Sequence, residues 1–160
     1  MENITLHING EDVQVGIEKN ETLMYVLREL LDLTGVKSGC ATGDCGACKV
    51  IIDGEAVNSC LIQARKAVGK NIQTIEGLAT PAGLHPIQQA FVDAGAVQCG
   101  YCTPGMILSA KALLDKNPDP TDDEIRQGIS NNLCRCTGYV KIVDAIRNAA
   151  AALRDPKGGK

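Results

Sequence analysis

Eight cysteines in a chain of 160 residues constrain this protein more than any other feature, because spacing sorts them into two complete sets of four. The opening residues, MENITLHING, lack the basic segment and apolar run of a secretory leader. No apolar run approaches the about 18 residues that a membrane-spanning helix needs. The expected compartment is therefore the cytoplasm, where thiols stay reduced. Eight cysteines there point to metal ligation more than to disulfides. The two histidines, His7 and His85, sit apart from the cysteines, so mixed Cys/His ligand sets lose their support.

The first set is Cys40, Cys45, Cys48 and Cys60, carried by GCATGDCGACKV and NSC. C-x4-C-x2-C with a distant fourth cysteine is the plant-type arrangement for a 2Fe–2S cluster. A loop wrapped round an anionic cluster must turn backbone N–H groups inward. Gly39, Gly43 and Gly46 permit the close approach and positive φ values this needs. Zinc is the alternative, but structural zinc usually pairs two similar knuckles. The second set is Cys99, Cys102, Cys134 and Cys136, in QCGYCTPG and NLCRCTGY. Each pair lies just before an expected helix, so two helix N-termini could face one anionic group. Four thiolates suit zinc as well as iron–sulfur chemistry. A thioredoxin-like pair would need a preceding strand, and the preceding segment reads as helical.

The rest of the chain divides into two halves. Ile4, Leu6 and Ile8 alternate, as do Val13, Val15 and Ile17, and Asn9-Gly10 between them signals a hairpin. Leu23, Val26, Leu27, Leu30 and Leu31 recur at helical spacing, with Thr22 as cap and Gly35 past the end. Val50, Ile51 and Ile52 precede a second hairpin signal, Asp53-Gly54, and Ile72 and Ile75 suggest a last strand. Residues 77–86, GLATPAGLHP, read as a linker. Four helices follow. Pro86 opens the first and Gly95 ends it. Thr103 caps a second that stops at Asn117-Pro118. Thr121 to Glu124 forms a capping box for a third. The fourth runs from about Tyr139 to Leu153, and the tail from Asp155 should fray.

Composition removes other classes. The net charge of −3 gives no basic face for phosphates. Three Tyr, one Phe and no Trp leave little for stacking bases. At 44 % hydrophobic, the chain can build a core. No G-x-G-x-x-G dinucleotide fingerprint occurs. His7 is expected on a strand facing solvent and His85 in the linker. Asp122 and Asp123 are expected to serve a helix N-terminus. Asp44 and Glu76 are expected as surface groups, and Lys111 and Lys116 on a solvated helix face.

From about Ile4 to Leu153, through GCATGDCGACKV, QCGYCTPGM and NLCRCTGY in that order, the chain resembles the small iron–sulfur subunit of the molybdenum hydroxylases, the xanthine oxidase family. The resemblance implies an α+β chain: a β-grasp ferredoxin-like domain over residues 1–76, a linker over 77–86 and an all-α four-helix-bundle domain over 87–160. It implies that Cys40, Cys45, Cys48 and Cys60 hold a 2Fe–2S cluster on the flavin side. Cys99, Cys102, Cys134 and Cys136 would hold one on the molybdenum side. Gln98 and Cys136 would contact a molybdopterin, of the cytosine dinucleotide type, held by a large partner subunit. A medium partner would bind FAD, and the assembly would be a dimer of heteromers without nucleic acid or membrane span. The chain has no length for flavin or molybdopterin domains, which suggests the separate-subunit bacterial arrangement of a xanthine or nicotinate dehydrogenase-like enzyme. No catalytic acid, base or nucleophile is then required here. A free-standing diffusible 2Fe–2S carrier and a zinc-stabilised interaction module are the rivals.

Overall fold

The computed structural model describes residues 1–155; the rest of the tail expected to fray, 156–160, lies outside the described residues. Strands β1 (Glu2–Ile8) and β2 (Glu11–Ile17) form the first hairpin. Asn9 and Gly10 sit at φ of 51° and 86°, the pair of positive values a tight two-residue turn demands. The register sets Ile4 opposite Val15 and Leu6 opposite Val13, so the alternation delivers Ile4, Leu6 and Ile8 to the core. β3 (Lys49–Ile52) and β4 (Glu55–Asn58) form the second hairpin on Asp53-Gly54. β5 (Asn71–Gln73) inserts between the hairpins, parallel to β1 and antiparallel to β3, giving the order β2-β1-β5-β3-β4. Ile75 does not extend β5; it begins a 3-10 turn, Ile75–Gly77.

The expected helix after β2 departs from a regular α-helix. One turn, α1 (Leu23–Tyr25), is capped by the Thr22 side chain and passes into a π-helical stretch, Val26–Leu30. The Leu31 N–H donates to the Val26 carbonyl at 3.0 Å, five residues back. The wider turn breaks the 3.6-residue period, so Leu23, Val26 and Leu27 are buried while Leu30 is exposed. Gly35 does not cap this segment; Asp32 takes the left-handed φ, 56°. Gly35 is needed for contact. A Cβ there would lie 2.2 Å from Ile75 Cγ2, and its N–H donates to Glu76 Oε2 at 2.9 Å. Glu76 thus pins the 3-10 turn rather than merely facing solvent.

The second half holds α2 (Pro86–Asp93), α3 (Thr103–Lys116), α4 (Asp122–Gly128) and α5 (Val140–Arg154). His85, within the expected linker, caps α2. Its Nδ1 accepts from the Ile87 N–H at 3.2 Å, and Gln88 Oε1 accepts from the His85 N–H at 2.9 Å. The expected box on α4 forms: Thr121 Oγ1 accepts from Glu124 N–H at 3.3 Å and Glu124 Oε2 accepts from Thr121 N–H at 2.7 Å. Such a cap contributes about 1 kcal/mol. Thr103 is the first residue of α3, and Cys102 occupies the N-cap without a capping bond. Lys111 is half-buried and pairs with Asp115 at 2.6 Å, while Lys116 reaches across to Glu55 on β4. Leu78, inside the expected linker, is buried in the helical core.

Strand β3 serves two cores at once. Val50 and Ile52 belong to the sheet core, and Ile51 between them belongs to the helical core. Alternation with period two sends neighbouring side chains to opposite faces, and α3 packs on the Ile51 side.

Arg147 on α5 ties α4 down, donating from Nε and Nη2 to the Asp122 carboxylate at 2.9 and 2.7 Å, and from Nη1 to Asp144 at 2.8 Å. Hydrogen bonding to Arg147 holds the Asp122 carboxyl below its ordinary value of 3.8. A carboxylate with a depressed folded-state pKa adds stability above the unfolded value and loses it as pH falls through the folded one. Both groups are substantially exposed, so the contribution is small. Asp122→Asn is expected to lower the melting temperature slightly at pH 7 and to match the wild type once the pH falls through the depressed folded-state value. A deficit that persists in acid would show that the pair's charge is not responsible.

Candidate metal centres

The first four cysteines come from a loop, a strand edge and a turn. Cys40 and Cys45 lie in the loop, Cys48 directly precedes β3, and Cys60 sits in the 3-10 turn Ser59–Leu61 that ends β4. The loop presents its backbone N–H groups to sulfur. Thr42, Asp44 and Cys45 donate to Cys40 Sγ at 3.4, 3.3 and 3.3 Å; Cys40 and Ala47 donate to Cys45 Sγ, each at 3.4 Å. Thr42 and the other donors pull the Cys40 thiol down to about 6. The buried Cys60 thiol touches that of Cys48 and is pushed up to about 11, chiefly by burial. The glycines divide the labour. Gly43 and Gly46 take φ of 85° and 73°, whereas a Cβ at Gly39 would stand 2.7 Å from Cys45 Sγ.

The second four converge from two loops. The Cys102 and Cys134 thiols are in contact, as are those of Cys99 and Cys136. Cys102 is pushed up to about 12, mainly by burial and next by Cys134. Burial also opposes ionisation of Cys134, but Thr137 outweighs it: its hydroxyl lies 3.1 Å and its N–H 3.4 Å from the sulfur, and the pKa falls. Among the described residues, one helix N-terminus begins on these cysteines, that of α3 at Cys102. α5 starts at Val140, after a left-handed Tyr139 at φ 70°, so the loop residue Thr137 supplies the donor expected from a helix end. Tyr139 Oη instead accepts from the Cys134 N–H at 2.9 Å. Gln98, Cys99 and Cys136 are each exposed.

All eight cysteines are free thiols, gathered in two sets of four: Cys60 neighbours Cys48 and Cys40, the Cys40 and Cys45 sulfurs each accept the other residue's backbone N–H, and Cys102 and Cys136 neighbour both Cys99 and Cys134. No three Cys, His, Asp or Glu side chains among the described residues converge on a single-ion point. Zinc would draw four sulfurs to about 2.3 Å of one point. Four thiols gathered under inward N–H groups fit a two-iron cluster, in which each iron takes two thiolates.

Sequence reasoning missed the residues that join the two sites. The Leu133 N–H donates to the Cys45 carbonyl at 2.9 Å. Tyr101, between Cys99 and Cys102, donates its hydroxyl to the Ser38 carbonyl at 2.5 Å. Buried Asn132 donates to the Gly46 carbonyl at 3.3 Å and accepts from Ser109 Oγ at 2.7 Å. Within the first site, Ser59, fully buried, donates through both Oγ and N–H to the Cys48 carbonyl, at 2.7 and 3.2 Å. Adjacency to a ligand was the available signal for Asn132, Ser59 and Tyr101; nothing local marks Ser109.

The fold and its two sets of four thiols define a two-domain 2Fe–2S protein. A "2Fe-2S iron-sulfur cluster binding domain" matches residues 6–75 and a "[2Fe-2S] binding domain" matches 74–147. The nicotinate dehydrogenase small FeS subunit of Eubacterium barkeri is 56 % identical over 91 % of this chain and 93 % of its own length. Among solved structures, quinoline 2-oxidoreductase from Pseudomonas putida 86 superposes with a TM-score of 0.92 at 44 % identity, covering 96 % of both chains. The aldehyde oxidoreductase of Desulfovibrio desulfuricans gives 0.92 at 48 % identity; this chain covers only 17 % of that one. The chain belongs to the small iron–sulfur subunits of the molybdenum hydroxylase family, oxidoreductases in which this part transfers electrons.

Proposed function

We propose that residues 1–76 hold one 2Fe–2S cluster through Cys40, Cys45, Cys48 and Cys60, and that residues 87–160, joined by 77–86, hold the other through Cys99, Cys102, Cys134 and Cys136. The observation that carries this assignment is the gathering of the eight thiols in two sets of four, with backbone N–H groups donating to the Cys40, Cys45 and Cys134 sulfurs. When bound, each cluster accepts and releases one electron. Around them this chain does three things. Its thiolates bind iron, its N–H groups favour negative charge on sulfur, and its apolar packing limits water. The exposed Gln98 amide and Cys136 offer a contact for a pterin in a large molybdopterin-binding partner, with the cofactor of the cytosine dinucleotide type. A medium partner binds FAD, the assembly pairs as a dimer of heteromers, and it works in the cytoplasm. Among the described residues no helix is long and apolar enough to cross a membrane.

The substrate class we assign is an N-heteroaromatic compound of the nicotinate type. Relatives whose lengths this chain matches are named for nicotinate and quinoline. The substrate pocket belongs to the large partner.

Purified chain is expected to contain about four irons and four labile sulfides. Bound zinc without visible absorption would overturn the assignment of both sites. Co-purification with its partners, followed by assay on nicotinate, a purine and an aldehyde, tests the substrate class. Activity confined to the aldehyde would overturn it.

A further inference from the structure

The first cluster loop is aimed by two asparagine side chains, and one of them belongs to the other half of the molecule. Asn58, beside Cys60, donates from Nδ2 to the Gly43 carbonyl at 2.8 Å. The next N–H in the chain, that of Asp44, points at Cys40 Sγ at 3.3 Å. Asn132, two residues before Cys134, donates to the Gly46 carbonyl, and the next N–H, that of Ala47, points at Cys45 Sγ at 3.4 Å. In both cases one planar trans peptide carries the gripped C=O on one edge and the N–H on the other, pointing oppositely. Fixing the carbonyl therefore fixes the hydrogen bond to sulfur.

The Gly46 carbonyl also accepts from the Lys49 N–H at 3.3 Å, so Asn132 is the second of two donors that restrict the Gly46–Ala47 peptide. Gly43 and Gly46 both occupy the left-handed region, where glycine has several accessible alternatives. Asn132 is itself held. It is buried, Ser109 Oγ on α3 satisfies its Oδ1 at 2.7 Å, and a Cβ at Gly105 would come within 2.4 Å of the same Gly46 oxygen. The amide assignment follows from this pairing: oxygen faces the serine hydroxyl and nitrogen faces the carbonyl.

We propose that Asn132, supported by Ser109, is a positioning residue through which the helical half sets the reduction potential of the cluster held by Cys40, Cys45, Cys48 and Cys60. An N–H donated to a ligand sulfur stabilises the reduced, more negative cluster and raises its potential. Loosening the Gly46–Ala47 peptide weakens that bond and lowers the potential. The effect crosses between halves, because Asn132 stands in the loop that supplies Cys134 and Cys136. Asn58 applies the same device from within the first half. The inference rests on the assignment of two 2Fe–2S clusters above.

The test is an EPR-monitored redox titration of the cluster-loaded chain: wild type, Asn132→Leu with Ser109→Ala, Ser109→Ala alone, and Asn58→Leu. The double substitution removes both hydrogen-bonding partners, so neither is left buried and unpaired. The expected result is a shift of the ferredoxin-like cluster to more negative potential in the double variant, with the helical-domain cluster moving less. Ser109→Ala should give a smaller shift in the same direction, which keeps the test decisive if the double variant fails to fold. Asn58→Leu should shift the same cluster without touching the other. No shift, or an equal shift of both clusters in the Asn132 and Ser109 variants, would overturn the inference. Absence of two redox signals in the wild type would instead overturn the underlying assignment.

Discussion

Cys48→Ala is expected to abolish one EPR-distinguishable cluster and spare the other, and Cys102→Ala to do the reverse. The size of each loss follows from which thiols are neighbours. Cys48 neighbours Cys60, and Cys102 neighbours Cys134, so under the proposed assignment each substitution would remove one of the thiolates that hold one iron. Cys48 is also 3 % exposed, at the foot of β3, where water has little access to fill the vacated position. Iron content should fall by about half in either variant. Retention of both signals in Cys48→Ala would remove that residue from the ligand set. Loss of both signals from either change would mean that loading of one site depends on the other.

The second large effect is expected at Gly46. A Cβ there would lie 2.2 Å from the Asn131 carbonyl oxygen and 3.0 Å from Asn132 Cα, both backbone atoms of the loop that carries Cys134. Gly46 also sits at φ 73°, which costs a non-glycine residue about 1–2 kcal/mol. Overpacking against rigid backbone adds about 1–3 kcal/mol. Gly46→Ala should therefore destabilise the chain by about 3 kcal/mol and loosen both cluster loops together. Gly54→Ala is the control. It has a φ of 87° but nothing within 4 Å of the added Cβ, so only the conformational part applies. Thermal unfolding of the two variants compares them directly. Equal losses would mean that contact between the halves contributes nothing at Gly46.

Much of this architecture was legible because its signals are local. Asn9-Gly10 and Asp53-Gly54 each encode a two-residue turn in the dihedral preferences of their own residues, and both hairpins formed. The cap Thr121–Glu124 is likewise complete within four residues. The cysteine sets were separable by spacing alone. Departures arose where a distant segment decided the outcome. The π-helical stretch abandoned the period of its leucines, and Gly35 proved necessary for Ile75, forty residues on. His85 reads as a linker residue because histidine is not among the usual N-cap residues, although Gln88 stands at the capping-box position three residues on. The expected pair of helix dipoles at the second site reduced to one, since Tyr139 turns left-handed before α5 begins. Asn132 and Ser109 meet only through the packing of α3 against the loop before α5, and no sequence pattern records that contact.

Strand β3 has a consequence for how such subunits can be rearranged. Because Ile51 lies in the helical core while Val50 and Ile52 lie in the sheet core, a cut between the halves would leave a hole on one side and a bare apolar face on the other. The pair should travel as a single cassette. Recombination or engineered chimeras that exchange only one half must also carry a matched set of α3 side chains. The same block occupies 17 % of one solved relative and 96 % of another, so fusion or separation of neighbouring parts leaves it whole.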